Sequence, residues 1–242
     1  MLAEPRTWQL EVAAVQDLTP RMRRVQLTSP ELDRFDYLAG QDMALTFRRA
    51  DAPPVRRRYT IRQHDHDRRR LDLDFVLHGD GPGMRWAQAA RPGESIEVVG
   101  PRGKITLVRD AGWHLFAGDA TAVPGALAMM EALPRDVRAV AFLQVDGREE
   151  QQSVDRDREH QITWHYEVPS RDGDRGLTGI LAGAALPPGR GHAYLAGEVA
   201  LVTALKATLQ SRGWEADDIS AKAYWNRGRA NAGHGEPELK AS

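Results

Sequence analysis

The sequence predicts a two-domain protein of class β plus α/β, an N-terminal antiparallel six-stranded β-barrel followed by a C-terminal, mainly parallel α/β sandwich. Three observations carry this. Up to about Leu107, short apolar stretches recur between turn signals, the spacing of a small barrel. From Trp113 onward, strand-like runs alternate with helical periodicity, which implies a parallel sheet covered on both faces. A length of 242 residues suits two domains better than one minimal domain. The expected division is 1–110 and 111–230, with a polar tail over 231–242 that should fray.

The barrel strands follow in order. Leu10, Val12 and Ala14 alternate with polar neighbours, and Met22 to Leu27 reads as the next strand. Met43 to Phe47, Val55 to Arg62, Leu71 to Leu77 and Ser95 to Val99 complete six. Asp65 to Arg70 is a solvated hairpin tip, and the one helical interruption, Met84 to Ala90, is entered through Gly81-Pro82-Gly83. In the second half, Trp113 to Ala117 is a buried strand leading through Gly118-Asp119-Ala120-Thr121-Ala122-Val123-Pro124 into a helix ending near Leu133. Val137 to Val145 and Ile162 to Val168 are strands, Leu177 to Leu186 a helix, and Ala193 to Ala196 a strand. Gly197 to Arg212 is a helix with Leu201, Val202, Leu205 and Leu209 on one face, and Ile219 to Trp225 is the last strand.

Composition narrows the chemistry. With no cysteine, disulfides, iron–sulfur clusters and thiolate zinc sites are excluded, so redox chemistry would need another bound cofactor. A net charge of −1 supplies no basic field for nucleic acid. The longest apolar runs, such as Gly179 to Leu186, fall far short of the roughly 20 residues a membrane span needs. The first residues have neither a basic region nor an apolar core, so no signal peptide is expected and the cytoplasm is the default compartment.

Two neighbouring segments stand out. Arg57-Arg58-Tyr59-Thr60-Ile61-Arg62 puts a cation, an aromatic ring and a hydroxyl on one strand, with Arg57 and Tyr59 sharing a face and Thr60 pointing away. His78-Gly79-Asp80-Gly81-Pro82-Gly83-Met84-Arg85-Trp86-Ala87 begins sixteen residues after Arg62 and offers a glycine-rich turn into a helix start. Backbone N–H groups and partial positive charge at such a start suit a dinucleotide pyrophosphate, and the glycines let it approach. Taken alone, the first segment also fits an edge strand carrying solvated arginines. Trp86 should pack inward, and Arg58 and Arg62 read as surface or adenine-side residues. His64-Asp65-His66 resembles a metal pair but sits in a charged turn without further ligands, so no metal site is expected. The absence of Gly-x-Gly-x-x-Gly removes a separate Rossmann fingerprint.

A barrel followed by an α/β domain matches the ferredoxin-reductase-like architecture. More closely, the chain resembles the siderophore-interacting protein family of flavin-dependent ferric-siderophore reductases, over roughly Val12 to Arg229. Six motifs carry the resemblance in order: Arg57 to Thr60, His78 to Ala87, Val99-Gly100-Pro101-Arg102-Gly103, Gly118 to Pro124, Ala196-Gly197-Glu198 and Ala223-Tyr224-Trp225. It implies an FAD-binding barrel, with Arg57, Tyr59, Thr60, His78, Gly81, Pro82, Gly83 and Met84 toward the cofactor. In the second domain it adds Asp119, Thr121, Pro124 and Trp225, with Gly197 and Glu198 near the docked nicotinamide. Ala120 departs from the family's usual glutamate.

The resemblance further implies a basic cluster for an anionic ferric chelate; Arg102 matches one of its positions, and Lys222, two residues after Ser220, and Arg227, next to Asn226, are the other candidates. Ala44, Ser220 and Asn226 stand where basic residues are frequent; Arg48, Arg49 and Arg227 would have to compensate, and Arg229 also follows Asn226. The activity implied is reduction of Fe(III) in a ferric siderophore or other ferric chelate, releasing Fe(II). Electrons would come from NADPH, NADH or ferredoxin through FAD, in a monomer, and no residue is expected to act as acid, base or nucleophile. Two alternatives stay open: a flavin reductase serving a protein partner, and a flavin- or chelate-binding module without turnover.

Overall fold

Inward alternation builds the first unit. In the computed structural model, which describes residues 5–49, 52–154, 160–166 and 176–227, six antiparallel strands close a barrel: β1 (Arg6–Thr19), β2 (Met22–Thr28), β3 (Asp42–Arg49), β4 (Ala52–Asp65), β5 (Arg70–Val76) and β6 (Ser95–Arg102). They run around the barrel in the order β1-β2-β5-β4-β3-β6. Trp8, Leu10 and Val12 from β1 meet Val25, Leu27, Met43, Leu45, Phe47, Ile61, Leu71, Leu73, Phe75, Ile96 and Val98 inside, and side chains fill the interior. Each such burial stabilises the fold by about 1.5–3 kcal/mol. A register shift after Val12 ends the alternation of β1, so Ala14 is only half-buried.

The helix α1 (Pro82–Ala89) is the expected interruption, starting two residues earlier. Proline suits the first helical position because it lacks the N–H that would be orphaned there. Trp86 packs on Phe47 and Phe75, at ring-centroid distances of 5.8 and 5.5 Å.

One of the two positions expected for Arg62, the surface, is overturned. Arg62 is buried, with its side chain only 9% exposed. It makes a two-point ion pair with Glu131 and lies 3.8 Å from Asp74. Asp74, itself buried, also takes a bidentate pair from Arg24 at 2.7 and 2.8 Å. Arg58 likewise pairs with the buried Asp42 at 2.7 Å.

The chain divides into two units, Met1–Leu107 with Leu127–Ala132, and Val108–Ala126 with Leu133–Ser242. The second unit holds β7 (Trp113–Gly118), α2 (Val123–Ala132, shared with the first unit), β8 (Arg138–Val145), β9 (His160–Tyr166), α3 (Gly176–Gly183), β10 (Gly191–Glu198), α4 (Val199–Ser211) and β11 (Ile219–Trp225). Its sheet runs β11-β10-β7-β8-β9, and every pairing is parallel. Leu177 and Leu181 of α3 and Val202, Leu205 and Leu209 of α4 pack on Leu115, Ala193, Leu195 and Ile219.

Two helix boundaries in the second unit differ from expectation in ways the sequence explains. α3 stops at Gly183, because Pro187 and Pro188 follow and the chain leaves the helical region before them. Gly197 and Glu198 belong to the end of β10, and α4 begins only at Val199, because Gly197 takes a φ of +132°. The end of the strand expected over Ile162 to Val168, and the tail from 231, lie outside the described residues.

Candidate functional site

The first cluster lies in the barrel unit. β4 carries Arg57, Tyr59 and Thr60, all half-buried. The Tyr59 ring packs against Phe75 at 4.1 Å between centroids and meets Phe47 edge-on. Burial holds its phenol above the ordinary tyrosine range. Arg57 donates from Nη1 to the Arg56 carbonyl at 2.8 Å.

β5 ends at Val76, so half-buried His78 stands two residues beyond the strand, at the opening of the turn into α1. Gly79 has a φ of +69°, and a Cβ at either Gly79 or Gly81 would meet nothing within 4 Å. Gly81 caps α1 with no side-chain hydrogen bond, and no acidic residue sits in the first turn. Arg85 pairs with Asp80 across the turn at 2.8 Å. Pro82 and Met84 are half-buried. Gly83 is buried directly beneath Tyr59, whose hydroxyl lies 1.8 Å from where a Cβ would stand.

The second cluster lies at the carboxyl edge of the parallel sheet. Succession runs one way from β7 to β9 and the other way from β10 to β11, so the topological switch point falls between β7 and β10, where ligands of open α/β sheets bind. Asp119 follows β7 there. Its Oδ1 accepts from the Thr121 N–H at 2.8 Å and the Thr121 hydroxyl at 2.5 Å. Its Oδ2 accepts from the Glu198 N–H at 2.7 Å and Trp225 Nε1 at 2.9 Å. Those four bonds fill a carboxylate. Glu198 in turn caps α4, accepting from the N–H groups of Ala200 at 2.6 Å and Leu201 at 3.1 Å, and from the Arg227 N–H at 3.3 Å. Pro124 is buried in the first turn of α2.

Of the candidate cations, Arg102 closes β6, half-buried and opposite Asp42 of β3. Lys222 is half-buried on β11, its Nζ 5.5 Å from the Tyr224 ring centre. Arg227 is exposed just past β11. Ala44 is buried, Ser220 pairs with His192 at 2.9 Å, and Asn226 is half-buried. Arg48 is exposed; the Arg49 side chain and Arg229 lie outside the described residues. His64 packs edge-on against Phe35, and His66 contacts the Asp33 carbonyl at 3.0 Å.

Sequence reasoning missed a stacked group inside the second unit. His114 of β7 and His192 of β10 are direct neighbours in register, and Phe116 and Tyr194 stack beside them. His114 is 2% exposed, with no hydrogen-bond partner for Nδ1. Burial, followed by the neighbouring His192, pushes its imidazole down to about 4. Burial pushes the Tyr194 phenol up to about 12, although its oxygen accepts from the Val108 N–H. The available signal was two histidines within strongly apolar strands.

A closed antiparallel barrel with a parallel five-stranded α/β unit defines the ferredoxin-reductase-like class. A ferredoxin NADP+ reductase from Neisseria gonorrhoeae has this fold, with a TM-score of 0.70 at 15% identity over 90% of this chain and 99% of its own. Residues 111–228 match the siderophore-interacting protein family, and residues 44–105 match the siderophore-interacting FAD-binding domain. A siderophore utilization protein from T. fusca superimposes with a TM-score of 0.86 at 30% identity, covering 97% of this chain and 98% of its own. Ferric vibriobactin reductase ViuB of Vibrio cholerae is 36% identical over 184 residues, 73% of this chain. The match spans 66% of that relative, just under two thirds of its length. The chain belongs to the siderophore-interacting protein family and carries its FAD-binding domain. Among the described residues no helix is long and apolar enough to cross a membrane.

The residues present fit FAD. The start of α1 is an open cradle: Gly79 and Gly81 leave the space beside them clear, and among the described residues no side chain takes the first helical N–H groups.

Proposed function

We propose that this protein is an FAD-dependent ferric-chelate reductase, acting on ferric siderophores or related Fe(III) chelates with a nicotinamide nucleotide as electron donor. The observation that carries this reading is the start of α1 at Gly81, which has no side-chain cap, within the segment that matches the FAD-binding domain. FAD, when bound, supplies the redox chemistry that divides a two-electron donation into single electrons for iron.

The chain's own groups hold and orient. Gly81, Pro82, Gly83 and Met84 form the pyrophosphate cradle, and Arg57 adds a charge-assisted bond to a phosphate. Thr60 offers its hydroxyl to the flavin edge, while Tyr59, fixed against Phe75 and Gly83, forms a wall beside it. His78 borders the same cradle. In the second unit Asp119, Thr121, Pro124 and Trp225 act through the shape of the turn they build, since the Asp119 carboxylate is already filled. Arg102, Lys222 and Arg227 are the proposed cations for the chelate. Support for the substrate class comes from the family and from the name of the vibriobactin reductase relative. The proposed compartment is the cytoplasm.

The test is anaerobic. Protein loaded with FAD is mixed with NADPH, NADH or reduced ferredoxin, and then with several ferric chelates under a ferrous-specific dye. Flavin bleaching followed by protein-dependent Fe(II) release is the expected result. A chain that takes up no FAD, or a reduced flavoprotein that leaves every chelate ferric, sinks the reading.

A further inference from the structure

Two helical segments begin at the switch point of the α/β unit, and a carboxylate of the chain caps each start. Asp119 caps the turn Ala120–Ala122 that runs into α2, and Glu198 caps α4. Together they accept from the backbone N–H groups of Thr121, Glu198, Ala200, Leu201 and Arg227, and from the Trp225 indole. Behind them β7 and β10 run close, and a Cβ at Gly118 would stand 2.0 Å from the carbonyl oxygen of its register partner Ala196. A Cβ at Gly197 would stand 2.6 Å from Asp119 Oδ2.

A dinucleotide pyrophosphate at this edge would need those same N–H groups and would meet two carboxylates. The start of α1 in the barrel unit differs: among the described residues no side chain caps it, and its first turn holds no acid. The described residues therefore include one helix start with no side-chain cap and two capped by carboxylates.

We propose that Asp119 is a specificity-determining residue that excludes the donor's pyrophosphate from the switch point, so that the reductase takes a nicotinamide donor by its nicotinamide end alone. This rests on the flavin-reductase reading above. The adenosine half of the donor then adds little, and reduced nicotinamide mononucleotide serves nearly as well as NADPH.

The experiment uses the full chain loaded with FAD. Anaerobic stopped-flow reduction by NADPH, NADH and reduced nicotinamide mononucleotide should give second-order rate constants within about fivefold of one another, since remote binding energy is not recruited. ADP-ribose, which keeps the pyrophosphate and lacks nicotinamide, should neither slow NADPH nor give heat on titration. A dinucleotide advantage of about 100-fold, the size expected when remote contacts are used, overturns the proposal. So does competition by ADP-ribose, or a flavin that no nicotinamide donor reduces.

Dithionite-reduced protein offered a ferric chelate judges the flavin reading separately, and the ADP-ribose titration reads out even without FAD. Asp119→Ser keeps a cap for the Thr121 N–H while freeing the Glu198 N–H and the Trp225 indole. A folded variant should bind ADP-ribose at least about tenfold more tightly than the parent, the effect of about one charge-assisted hydrogen bond. A folded variant that does not gain removes the role from Asp119. If it does not fold, the parent's response to ADP-ribose decides.

Discussion

Trp225 Nε1 donates to Asp119 Oδ2 at 2.9 Å, joining the end of β11 to the turn after β7 across 106 residues of sequence. The same oxygen holds the Glu198 N–H, so three segments at the carboxyl edge share one carboxylate. Trp225→Phe removes the donor and keeps most of the ring. Hydrogen bonds to charged groups contribute about 1.5–3 kcal/mol, and thermal or urea unfolding should report a loss in that range. An unchanged midpoint would show that water replaces the indole at no cost.

Gly83 and Tyr59 compete for one space. A Cβ at position 83 would stand 1.8 Å from the Tyr59 hydroxyl oxygen and 2.8 Å from its Cζ, and Tyr59 is held by Phe75 behind it. Gly83→Ala should therefore destabilise the barrel by about 1–3 kcal/mol, the usual cost of overpacking. Adding Tyr59→Phe removes the nearer atom, and the double variant should recover part of the loss. Additive behaviour in the double-mutant cycle would mean that the two positions do not meet.

The His114 pocket makes stability depend on pH. An unfolded chain protonates this imidazole near 6.5, whereas the folded pocket beside His192 and Tyr194 holds it down to about 4. Between those values the unfolded state binds more protons. Stability from this group is thus fully present above about pH 6.5 and is lost as pH falls toward 4, by roughly 2–4 kcal/mol in all. Burial lowers His192 as well, so it acts in the same direction. Denaturant unfolding between these pH values should show the slope, and His114→Phe should flatten much of it.

Arg57 is proposed to hold a phosphate of FAD. Arg57→Ala should raise the FAD dissociation constant about 10- to 100-fold, the equivalent of about 1.5–3 kcal/mol for a charge-assisted bond. Fluorescence titration of the flavin-free protein measures this directly, and an unchanged constant would remove Arg57 from the cradle.

Local signals carried the fold far. The alternation of β2 and β5 and the apolar runs of β7 and β8 are properties of a few consecutive residues, and these strands form close to their expected places. The glycine turn before α1 was equally local. What the sequence hid depends on partners distant in the chain. Arg62 looks like a surface arginine until Asp74 and Glu131 converge on it. His114 and His192 become one pocket only because β7 and β10 pair. Glu198, an uncommon helix cap, looked like part of α4 because apolar periodicity does not mark where Gly197 turns the backbone.

Arg102 ends β6 opposite Asp42, whose carboxylate is already paired with Arg58. If the Arg102 guanidinium meets the chelate, the interaction is with the substrate's charge and not with the flavin. Arg102→Ala should then raise KM for anionic ferric chelates by about two- to fivefold, as expected for one partly solvated charge pair. Neutral chelates should turn over as before and FAD content should not change. Raising the ionic strength should shrink the difference between parent and variant, because an exposed pair is screened. Equal losses on anionic and neutral chelates would instead make Arg102 a structural residue of the strand end, and unchanged kinetics on both would leave the chelate to Lys222 and Arg227.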